Sequence, residues 1–532
     1  LEIASVIGRR FPVSLVAATL PAADDDLERI CERLTRESSI LESAGTEQWG
    51  DGALTSSYAF THDLYVDVVY EGIPALRRAR LHQLVGQALE RAWEGREREH
   101  APELALHFHR SSDHSRGPKY LHLAAEHALE RSAYREAVDH LSAAIEMLEG
   151  APESGDRQRL ELRIRCRLAP SLVATRGWAD SEAEENYLKA RDLAEELEEF
   201  ALLSQTLYGL ANMYEYRGEY ALAERIARKR LALDETGVPT QSLESNELLT
   251  CSLLHQGRYG ESVRHGEEAL AAYADVDPVT LDPEELVLIV QAHGWMSASL
   301  HFAGRIDDAL SHSREAIRLA EGIDNQLAKA SAHIQGAFLR FYRCEEDACG
   351  ELARRGGAIS REFRFPFHVA CSRILQGWTL SGADEPGDAV REIRAGIRTS
   401  EAIGARMDLP LFYSILAGAL VRSGDPEKAL NASDRAIEIL DRGRTFFYVP
   451  ELHRQRGLIL LDLGRSDEGL ESLDEAFELA QSQECLLFAL RAATDLARLG
   501  KKTWETRVGK IYDRFSQGLD TKDLEKAAAI LK

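Results

Sequence analysis

The chain has 532 residues, of which 44% are hydrophobic and 29% are charged, a composition typical of a soluble, packed protein rather than a disordered one. Its formal net charge of −24 repels phosphate backbones, so we expect no non-specific binding to nucleic acid. No run of about 18 apolar residues occurs, which excludes a membrane span. Seven scattered cysteines without a C-x-x-C pair favour a reducing, cytoplasmic location.

The first 95 residues follow a different plan from the rest of the chain. The predicted elements are a helical opening over 1–20, a helix running into a strand over 24–43, a turn over 44–55, a returning strand over 56–61 and a long Arg-rich helix over 74–93. Helices followed by two short strands and a further helix predict a small winged-helix domain with a two-stranded wing. The long helix would connect this domain, residues 1–95, to the remainder.

His62 and Asp63 stand where the returning strand ends and the next helix begins, in "YAFTHDLYVDVVY". An imidazole N–H can donate to a phosphate oxygen, and a helix start adds free N–H groups and a dipole that favours an anion. The alternative is that His62 only caps the helix. The two interpretations stay open at this point.

From about residue 115 to residue 482 the sequence repeats with a period of about 40 residues, a length that indicates a repeat architecture. Gly304, Gly424 and Gly464 are separated by multiples of 40, and small residues recur at three positions of each unit. The three columns are Ser297, Ala337, Gly377, Ala417, Gly457; Ala309, Cys349, Ala389, Ala429, Gly469; and Ala316, Gly356, Gly396, Ala436, Ala476. Helix axes about 8–10 Å apart accept only small side chains where their backbones cross, so each unit predicts two packed helices.

This pattern resembles the tetratricopeptide repeat, although the standard unit has about 34 residues and these units are mostly longer. The resemblance implies an all-α fold, a right-handed superhelix of about nine helical hairpins. We therefore expect repeats over residues 96–482 and C-terminal capping helices over 483–532.

In such a superhelix the first helix of each unit lines a concave groove, and aromatic residues cluster there in the middle repeats. The predicted groove residues are His301, Phe302, Phe338, Arg340, Phe341, Tyr342 and Trp378. Neighbouring arginines at 343, 361 and 364 complete a basic and aromatic patch that would grip a peptide carboxylate or a flat ligand. The alternative is that these rings only fill gaps between helices.

Several runs, among them "IGRRFPVSLVAATL", "YAFTHDLYVDVVYEGI" and "RRARLHQLVGQALE", resemble the region after the nucleotide-binding domain of signal-transduction NTPases of the STAND class. More narrowly, the chain is similar to predicted-ATPase regulators with a tetratricopeptide tail. In that class a histidine of the winged helix reaches the β-phosphate of bound ADP, and His62 with Asp63 match that place. The resemblance implies an NTPase module upstream in cis, which would bind ADP or ATP with Mg²⁺.

This chain itself contains no G-x-x-x-x-G-K-[ST] motif, so we expect no ATP hydrolysis and no cofactor here. His107 and His109 stand in a helical pattern, where side chains two residues apart diverge, so no metal site is predicted. No catalytic cluster emerges. The predicted function is a sensor arm that binds a protein, peptide or small-molecule inducer in its groove and regulates the NTPase in signal transduction or transcription. The alternative is a constitutive scaffold for protein partners.

Overall fold

The computed structural model describes residues 1–532 except 21–23, 51, 234–238, 272, 275, 277–280, 282, 383–385, 441–445 and 501. The described residues form 27 helices and three strands, and the predicted all-α repeat fold is confirmed. Within these residues, no helix combines the length and the apolar character that crossing a membrane requires.

The N-terminal region combines short helices with one small sheet. Its elements are α1 (Glu2–Ile7), β1 (Arg10–Pro12), α2 (Val13–Ala18), α3 (Asp24–Glu37), β2 (Leu41–Gln48), β3 (Leu54–Phe60), α4 (Asp63–Glu71) and α5 (Ala75–Ala92). The strands are antiparallel in the order β1-β3-β2, with Phe11 opposite Tyr58 and Leu41 opposite Phe60. The predicted hairpin is therefore present as β2 and β3, between α3 and α4.

Two details of this region differ from the sequence-based prediction. The opening helix is interrupted because Arg10–Pro12 pairs with β3, which buries Phe11 against Phe60 at a ring distance of 5.9 Å. The predicted turn over 44–55 is too long, since β2 continues to Gln48. A bulge between Ser43 and Thr46 keeps the strand paired, and Gly45 there adopts a φ of 88° that disfavours other residues.

Nine helical hairpins follow α6 (Ala101–Arg110) in the described residues. They are α7 (Gly117–Glu130) with α8 (Tyr134–Glu149), α9 (Gly155–Arg176) with α10 (Ser181–Glu196), α11 (Phe200–Tyr216) with α12 (Tyr220–Leu233), α13 (Pro239–His255) with α14 (Tyr259–Ala271), α15 (Pro283–Phe302) with α16 (Ile306–Glu321), α17 (Gln326–Tyr342) with α18 (Glu346–Glu362), α19 (Pro366–Leu380) with α20 (Pro386–Ala402), α21 (Leu409–Arg422) with α22 (Pro426–Ile439), and α23 (Val449–Asp462) with α24 (Ser466–Ser482). The chain continues with α25 (Leu486–Arg498), α26 (Lys502–Tyr512) and α27 (Lys522–Leu531). The number of hairpins agrees with the number of units in the sequence.

The small-residue columns lie where the helices of a hairpin cross, and all fifteen of their residues are buried. A Cβ atom added at Gly377 would lie 2.6 Å from Ile393 Cγ1 and 2.9 Å from the Ala389 carbonyl oxygen. At Gly457 it would lie 2.8 Å from the Gly469 carbonyl oxygen. These distances are too short for any side chain larger than that of glycine at these two positions. The recurrence of small residues in the columns therefore reflects a steric requirement.

The same spacing also occurs upstream with Ala211 and Ala223, but the third position of that repeat is Arg230. Arg230 is nevertheless 1% exposed. Its guanidinium donates to Ser245 Oγ at 2.8 Å and to the Ser204 carbonyl oxygen at 3.1 Å, and it forms an ion pair with Glu244. A buried charge is tolerated when it is paired and hydrogen-bonded, as it is here. In this repeat, polar contacts of Arg230 therefore hold the helices together where other repeats have a close approach of the two backbones.

The chain forms two compact units. The first comprises Leu1–Thr175 and Ser181–Leu203, and the second comprises Arg176–Asp180 and Ser204–Lys532. The predicted domain boundaries after 95 and 482 fall inside these units and stay predictions. Within the second unit, the C-terminal region contacts earlier repeats, since Gln517 Oε1 accepts from the Asp307 backbone N–H at 3.0 Å.

The glycine columns give a stability prediction. Replacing Gly377 by Ala forces its new methyl group into Ile393 and the Ala389 carbonyl, and we expect a loss of about 1–3 kcal/mol in the free energy of unfolding. Gly509→Ala is the matched control, since its Cβ would meet only Leu531 Cδ2 at 3.6 Å, and it should stabilise α26 by up to about 1 kcal/mol. Urea unfolding followed by circular dichroism measures both; equal effects of the two variants would contradict the steric explanation.

Candidate functional site

His62 occupies the N-cap position of α4, where its Nδ1 accepts a hydrogen bond from the Leu64 backbone N–H at 3.0 Å. A ring nitrogen that accepts carries no proton, so the neutral imidazole has its proton on Nε2. The side chain is exposed. The observed geometry is therefore that of a helix cap. The ring still presents its Nε2–H as a donor. The nucleotide-sensing role of His62 stays a prediction.

Asp63 lies beside this cap at the start of α4. One of its carboxylate oxygens is 3.4 Å from Arg9 Nη1, and both side chains are more than half exposed. An exposed ion pair of this kind contributes little to stability. Asp63 thus remains accessible in the first turn of the helix, next to His62.

Most of the predicted groove residues lie inside the second unit's aromatic core. The side chains of His301, Phe302 and Tyr342 are between 0% and 5% exposed. This burial agrees with the alternative that these rings fill gaps between helices. The reason is an aromatic plug, formed by Phe446, Phe447 and Tyr448. The ring of Phe447 lies 5.3 Å from that of Phe302 and 6.2 Å from that of Tyr342.

The backbone anchors this plug. The Phe447 N–H donates to the His255 carbonyl oxygen at 2.9 Å, and the Tyr259 hydroxyl donates to the Phe447 carbonyl oxygen at 3.0 Å. The surface expected to bind a ligand at 301, 302 and 342 is thus covered by the protein itself. Direct ligand contact by these three residues is a prediction that the observed packing does not favour.

The predicted basic patch is also rearranged. Arg340 Nη1 donates to Glu345 Oε2 at 3.0 Å, and Arg343 Nε donates to Glu345 Oε1 at 2.7 Å. One acidic residue thus engages both guanidinium groups, which sequence spacing on its own did not reveal. The remaining three predicted residues line cavities: Phe341 and Trp378 line one, and Phe338 lines another.

The first of these, which we call the basic cavity, has a volume of about 340 Å³. Side chains from α17, α19, α21, α23, α25 and α27 line it, with Trp378, Phe341 and Tyr448 as aromatic walls. Six cationic and four acidic side chains surround it, a local positive surplus in a chain of net charge −24. Its volume lies in the range of ordinary ligand pockets.

A buried ion-pair network forms the floor of the basic cavity. Arg491 Nη2 lies 2.7 Å from Asp523 Oδ2, and Arg454 binds both oxygens of Glu451, at 2.7 and 2.8 Å, and also pairs with Asp495. Although burial would raise the pKa of the Asp523 carboxyl, the Arg491 guanidinium outweighs it and lowers that pKa. These acidic groups are therefore satisfied within the protein.

Four cations at the rim of the basic cavity differ from those of the network. They are Arg422, Arg498, Lys522 and Lys526. All four are exposed, and within the described parts of the chain none lies within ion-pair distance of an acidic residue. Thr494 lines the same cavity, is 4% exposed, and has a hydroxyl without a hydrogen-bond partner among the described residues. The cavity therefore offers positive charge and a hydroxyl group to an anion.

The second cavity, which we call the acidic cavity, has a volume of about 90 Å³. It lies among α11, α13, α15, α17 and α19, and the residues before α21 complete it. Three buried carboxylates line it: Glu215 and Glu247, each 4% exposed, and Asp408, 7% exposed. The rings of Tyr216, Trp295, Phe338 and Phe367 complete its walls.

Two of the three carboxylates accept hydrogen bonds. Ser252 Oγ donates to Glu215 Oε1 at 2.7 Å, and Trp295 Nε1 donates to Glu247 Oε1 at 2.9 Å. Burial raises the pKa of Glu247 to about 7, and burial together with the charge of Glu247 raises the pKa of Glu215. Protons therefore remain on these acids at a pH where exposed carboxyl groups have lost theirs.

Sequence reasoning missed both sets of charged residues. The spacing of the first column continues upstream to Ala211 and Thr250. Glu247 stands three residues before Thr250, and Glu215 stands four residues after Ala211, so each shares a helix face with a column position. That spacing was the available signal, but acidic residues are frequent on every helix of this chain. Arg422 and Arg498 end α21 and α25, and nothing local distinguishes them from other surface arginines.

Comparison with known proteins leaves the family unassigned. No protein-family model matches the chain. An uncharacterised protein of Rhizobium meliloti (strain 1021) is 22% identical over 456 residues, which cover 84% of this chain and 44% of that protein. The chain thus spans less than half the length of this curated relative.

Among solved structures, the chain is similar to a Rap protein complexed with competence and sporulation factor, with 14% identity and a TM-score of 0.47 over 69% of this chain and 99% of that chain. It is also similar to the apo form of the quorum sensor NprR from B. thuringiensis, with 16% identity and a TM-score of 0.46 over 71% of this chain and 100% of that chain.

The raised pKa of Glu247 predicts a pH-dependent stability. The unfolded chain releases this proton near pH 4.5 and the folded chain near pH 7, so stability falls as the pH rises through this window, by up to about 3 kcal/mol. Glu247→Gln keeps an oxygen that accepts from Trp295 and removes the titration. We expect the variant to melt above the wild type at pH 8 and to lose most of this advantage at pH 5.

Differential scanning fluorimetry at these two pH values measures the effect. Glu427→Gln, at an exposed position in the first turn of α22, is the matched control. A Glu247→Gln variant whose advantage in melting temperature is the same at both pH values would contradict the assignment.

Proposed function

We propose that this chain is a ligand-binding regulatory arm and that the second unit binds an anionic segment of a peptide or protein in the basic cavity. The observation that supports this most directly is the cluster of four rim cations around a cavity with Trp378 on its wall. Arg and Lys bind carboxylates through charge-assisted hydrogen bonds, and an aromatic wall favours a flat or apolar neighbour of that carboxylate.

The satisfied network beneath the rim supports the same proposal. Glu451 and Asp523 are already engaged by Arg454 and Arg491, and among the described residues neither forms an ion pair with a rim cation. The Thr494 hydroxyl, which has no hydrogen-bond partner in the described part of the chain, would donate to a carboxylate oxygen of the ligand. A free carboxyl terminus is the simplest peptide group that fits this combination.

We further propose that the arm regulates a STAND-type ATPase located upstream in a longer protein. The resemblance of residues 58–73 to the winged-helix region of that class supports this, as does the arrangement of α3, the hairpin and α4. His62 presents an Nε2–H donor at a helix start, a favourable place for a phosphate. ADP or ATP with Mg²⁺ would bind the upstream module, and this chain would not catalyse a reaction by itself.

The basic cavity predicts a charge-dependent capture of peptides. Arg422→Gln combined with Arg498→Gln removes two rim cations, and we expect it to lower the retention of carboxylate peptides by about tenfold or more. The probe is a random hexapeptide library with free carboxyl termini, compared with the same library amidated. Retention on the immobilised 532-residue chain is quantified by mass spectrometry.

Arg318→Gln is the matched control, since Arg318 is exposed on α16, pairs with Glu315 and does not line the cavity. It should retain the library as the wild type does. Equal retention of free and amidated peptides, or full retention by the double variant, would exclude the basic cavity as the peptide site.

A second prediction separates the two roles of His62. His62→Ser preserves a side-chain oxygen that caps α4 but removes the imidazole, whereas His62→Ala removes both. In the longer protein that carries the NTPase module, we expect both variants to release bound ADP faster than the wild type, and only Ala to lower the melting temperature. Unchanged ADP retention in the Ser variant would reduce His62 to a helix cap.

A constitutive scaffold is the second candidate function. The anchored aromatic plug favours it, because a core tied by Phe447 to His255 and Tyr259 resists rearrangement. The scaffold would bind its partner equally in every nucleotide state of the longer protein. Affinities that differ between the ADP and ATP states would instead favour the regulatory arm.

A further inference from the structure

The acidic cavity has a composition that the proposed function does not use. Its described lining residues include three carboxylates and four large aromatic rings, and neither Lys nor Arg is among them. Protein interiors rarely bury carboxylates without cationic partners. The protein supplies these acids with a serine hydroxyl and an indole N–H, which leaves room for positive charge.

A basic side chain does approach one of them, since His255 Nε2 is 3.4 Å from Asp408 Oδ1. His255 Nδ1 lies 2.8 Å from the Cys251 carbonyl oxygen and donates to it, so in the neutral ring Nε2 is an acceptor that faces another acceptor. His255 thus approaches one of the three carboxylates, that of Asp408. In the part of the chain that the structure describes, neither Glu215 nor Glu247 forms an ion pair with a Lys, Arg or His side chain.

Buried polar atoms without a hydrogen-bond partner among the described residues are a second indication of a ligand site. Asp408 is 7% exposed, and its Oδ1 has no hydrogen-bond partner among the described residues. Both amide atoms of Gln335, which also lines the cavity, are buried without a partner in the same described part of the chain. Buried polar groups normally find partners, so a donor brought by a ligand would complete this site.

The aromatic walls define which donor fits. The Tyr216 ring is held in place by stacking on Trp178 at 4.1 Å and by an edge contact to Phe367 at 5.2 Å. Ring faces attract organic cations, and carboxylates pair with them, so the combination suits an ammonium or guanidinium group. A volume of about 90 Å³ is several times the space that one water molecule needs, enough for the end of a side chain.

We propose that the acidic cavity binds a primary ammonium or guanidinium group, presented either by a Lys or Arg side chain of a peptide or by a free alkyl amine. The cation would lie between Glu215, Glu247 and Asp408 and against the ring faces of the walls. This site is separate from the basic cavity, so the proposal does not rest on the proposed function. Failure of one leaves the other intact.

Binding of a cation competes with the protons on these acids. Titratable or charged groups that interact with Glu247 or line the same cavity come from every element around it: Tyr208, Glu215 and Tyr216 on α11, Glu244 and Cys251 on α13, His368 and Cys371 on α19, and Asp408 before α21. His255 on α13 lies beside Asp408. Burial lowers the pKa of His368 to about 4, so this ring stays neutral. Cation binding should therefore weaken by roughly tenfold from about pH 8 to about pH 6, as one proton returns.

The test uses the complete 532-residue chain and five small probes. These are n-butylammonium, methylguanidinium, the neutral n-butanol, and acetyl-lysine-amide with its norleucine analogue as a matched pair. Saturation-transfer NMR and calorimetry measure the dissociation constants at both pH values. We expect binding of the cations at millimolar or lower concentration, at least about tenfold tighter than that of the neutral analogues.

Glu247→Gln and Asp408→Asn keep shape and remove charge, and each should weaken cation binding by about tenfold or more. Glu427→Gln, exposed on α22, should bind as the wild type does. The comparison of charged and neutral probes on the wild-type chain needs no variant and thus guards against misfolding. Binding of the alkyl ammonium without the lysine derivative would assign the site to free amines, and the reverse would assign it to peptides.

Equal affinity for n-butylammonium and n-butanol would overturn the proposal. So would the absence of binding by every cationic probe at millimolar concentration, or unchanged cation affinity in both charge-removing variants. A dissociation constant that does not change with pH would exclude the competition between cation and proton.

Discussion

The repeat fold depends on one steric constraint, the near absence of side chain where the two helices of a hairpin cross. At Gly377 and Gly457 even a methyl group would lie within 3 Å of a neighbouring carbonyl oxygen. Close approach brings many apolar side chains of both helices into contact, and dispersion and burial then stabilise the pair. The two helices of each hairpin are also joined by a short turn, so the requirement is local and recurs in every unit.

That locality explains how much of the fold the sequence predicted. A small residue that recurs at a fixed period indicates a hairpin without knowledge of any distant contact, and the nine described hairpins agree. The N-terminal hairpin was predictable for the same reason, from turn residues between two short strands. β1 was not, because Arg10–Pro12 becomes a strand only through pairing with β3, which comes much later in the chain. The sequence shows Arg230 at a column position, but not its ion pair, since its partner Glu244 belongs to the next repeat.

The surroundings of the candidate site were harder to predict, because they depend on contacts between residues that are far apart in the sequence. The period directed attention to the first helices of the middle hairpins, where Phe338, Phe341 and Trp378 line cavities; their role in ligand binding stays a prediction. It gave no indication that residues 446–448 would cover Phe302 and Tyr342. The covering segment belongs to a later part of the chain than either ring, and its aromatic composition is compatible with either core or surface.

The two cavities differ in what balances the negative charge of their acidic side chains. In the basic cavity, the buried acids Glu451 and Asp523 are engaged by arginines, so their charges are balanced before any ligand arrives. In the acidic cavity, Glu215 and Glu247 are balanced by protons, as their raised pKa values indicate. A proton is a partner that a ligand can replace, whereas an arginine tied to two carboxylates is not. In our proposal the acidic cavity therefore couples ligand binding to protonation, whereas the acids Glu451 and Asp523 of the basic cavity already have cationic partners.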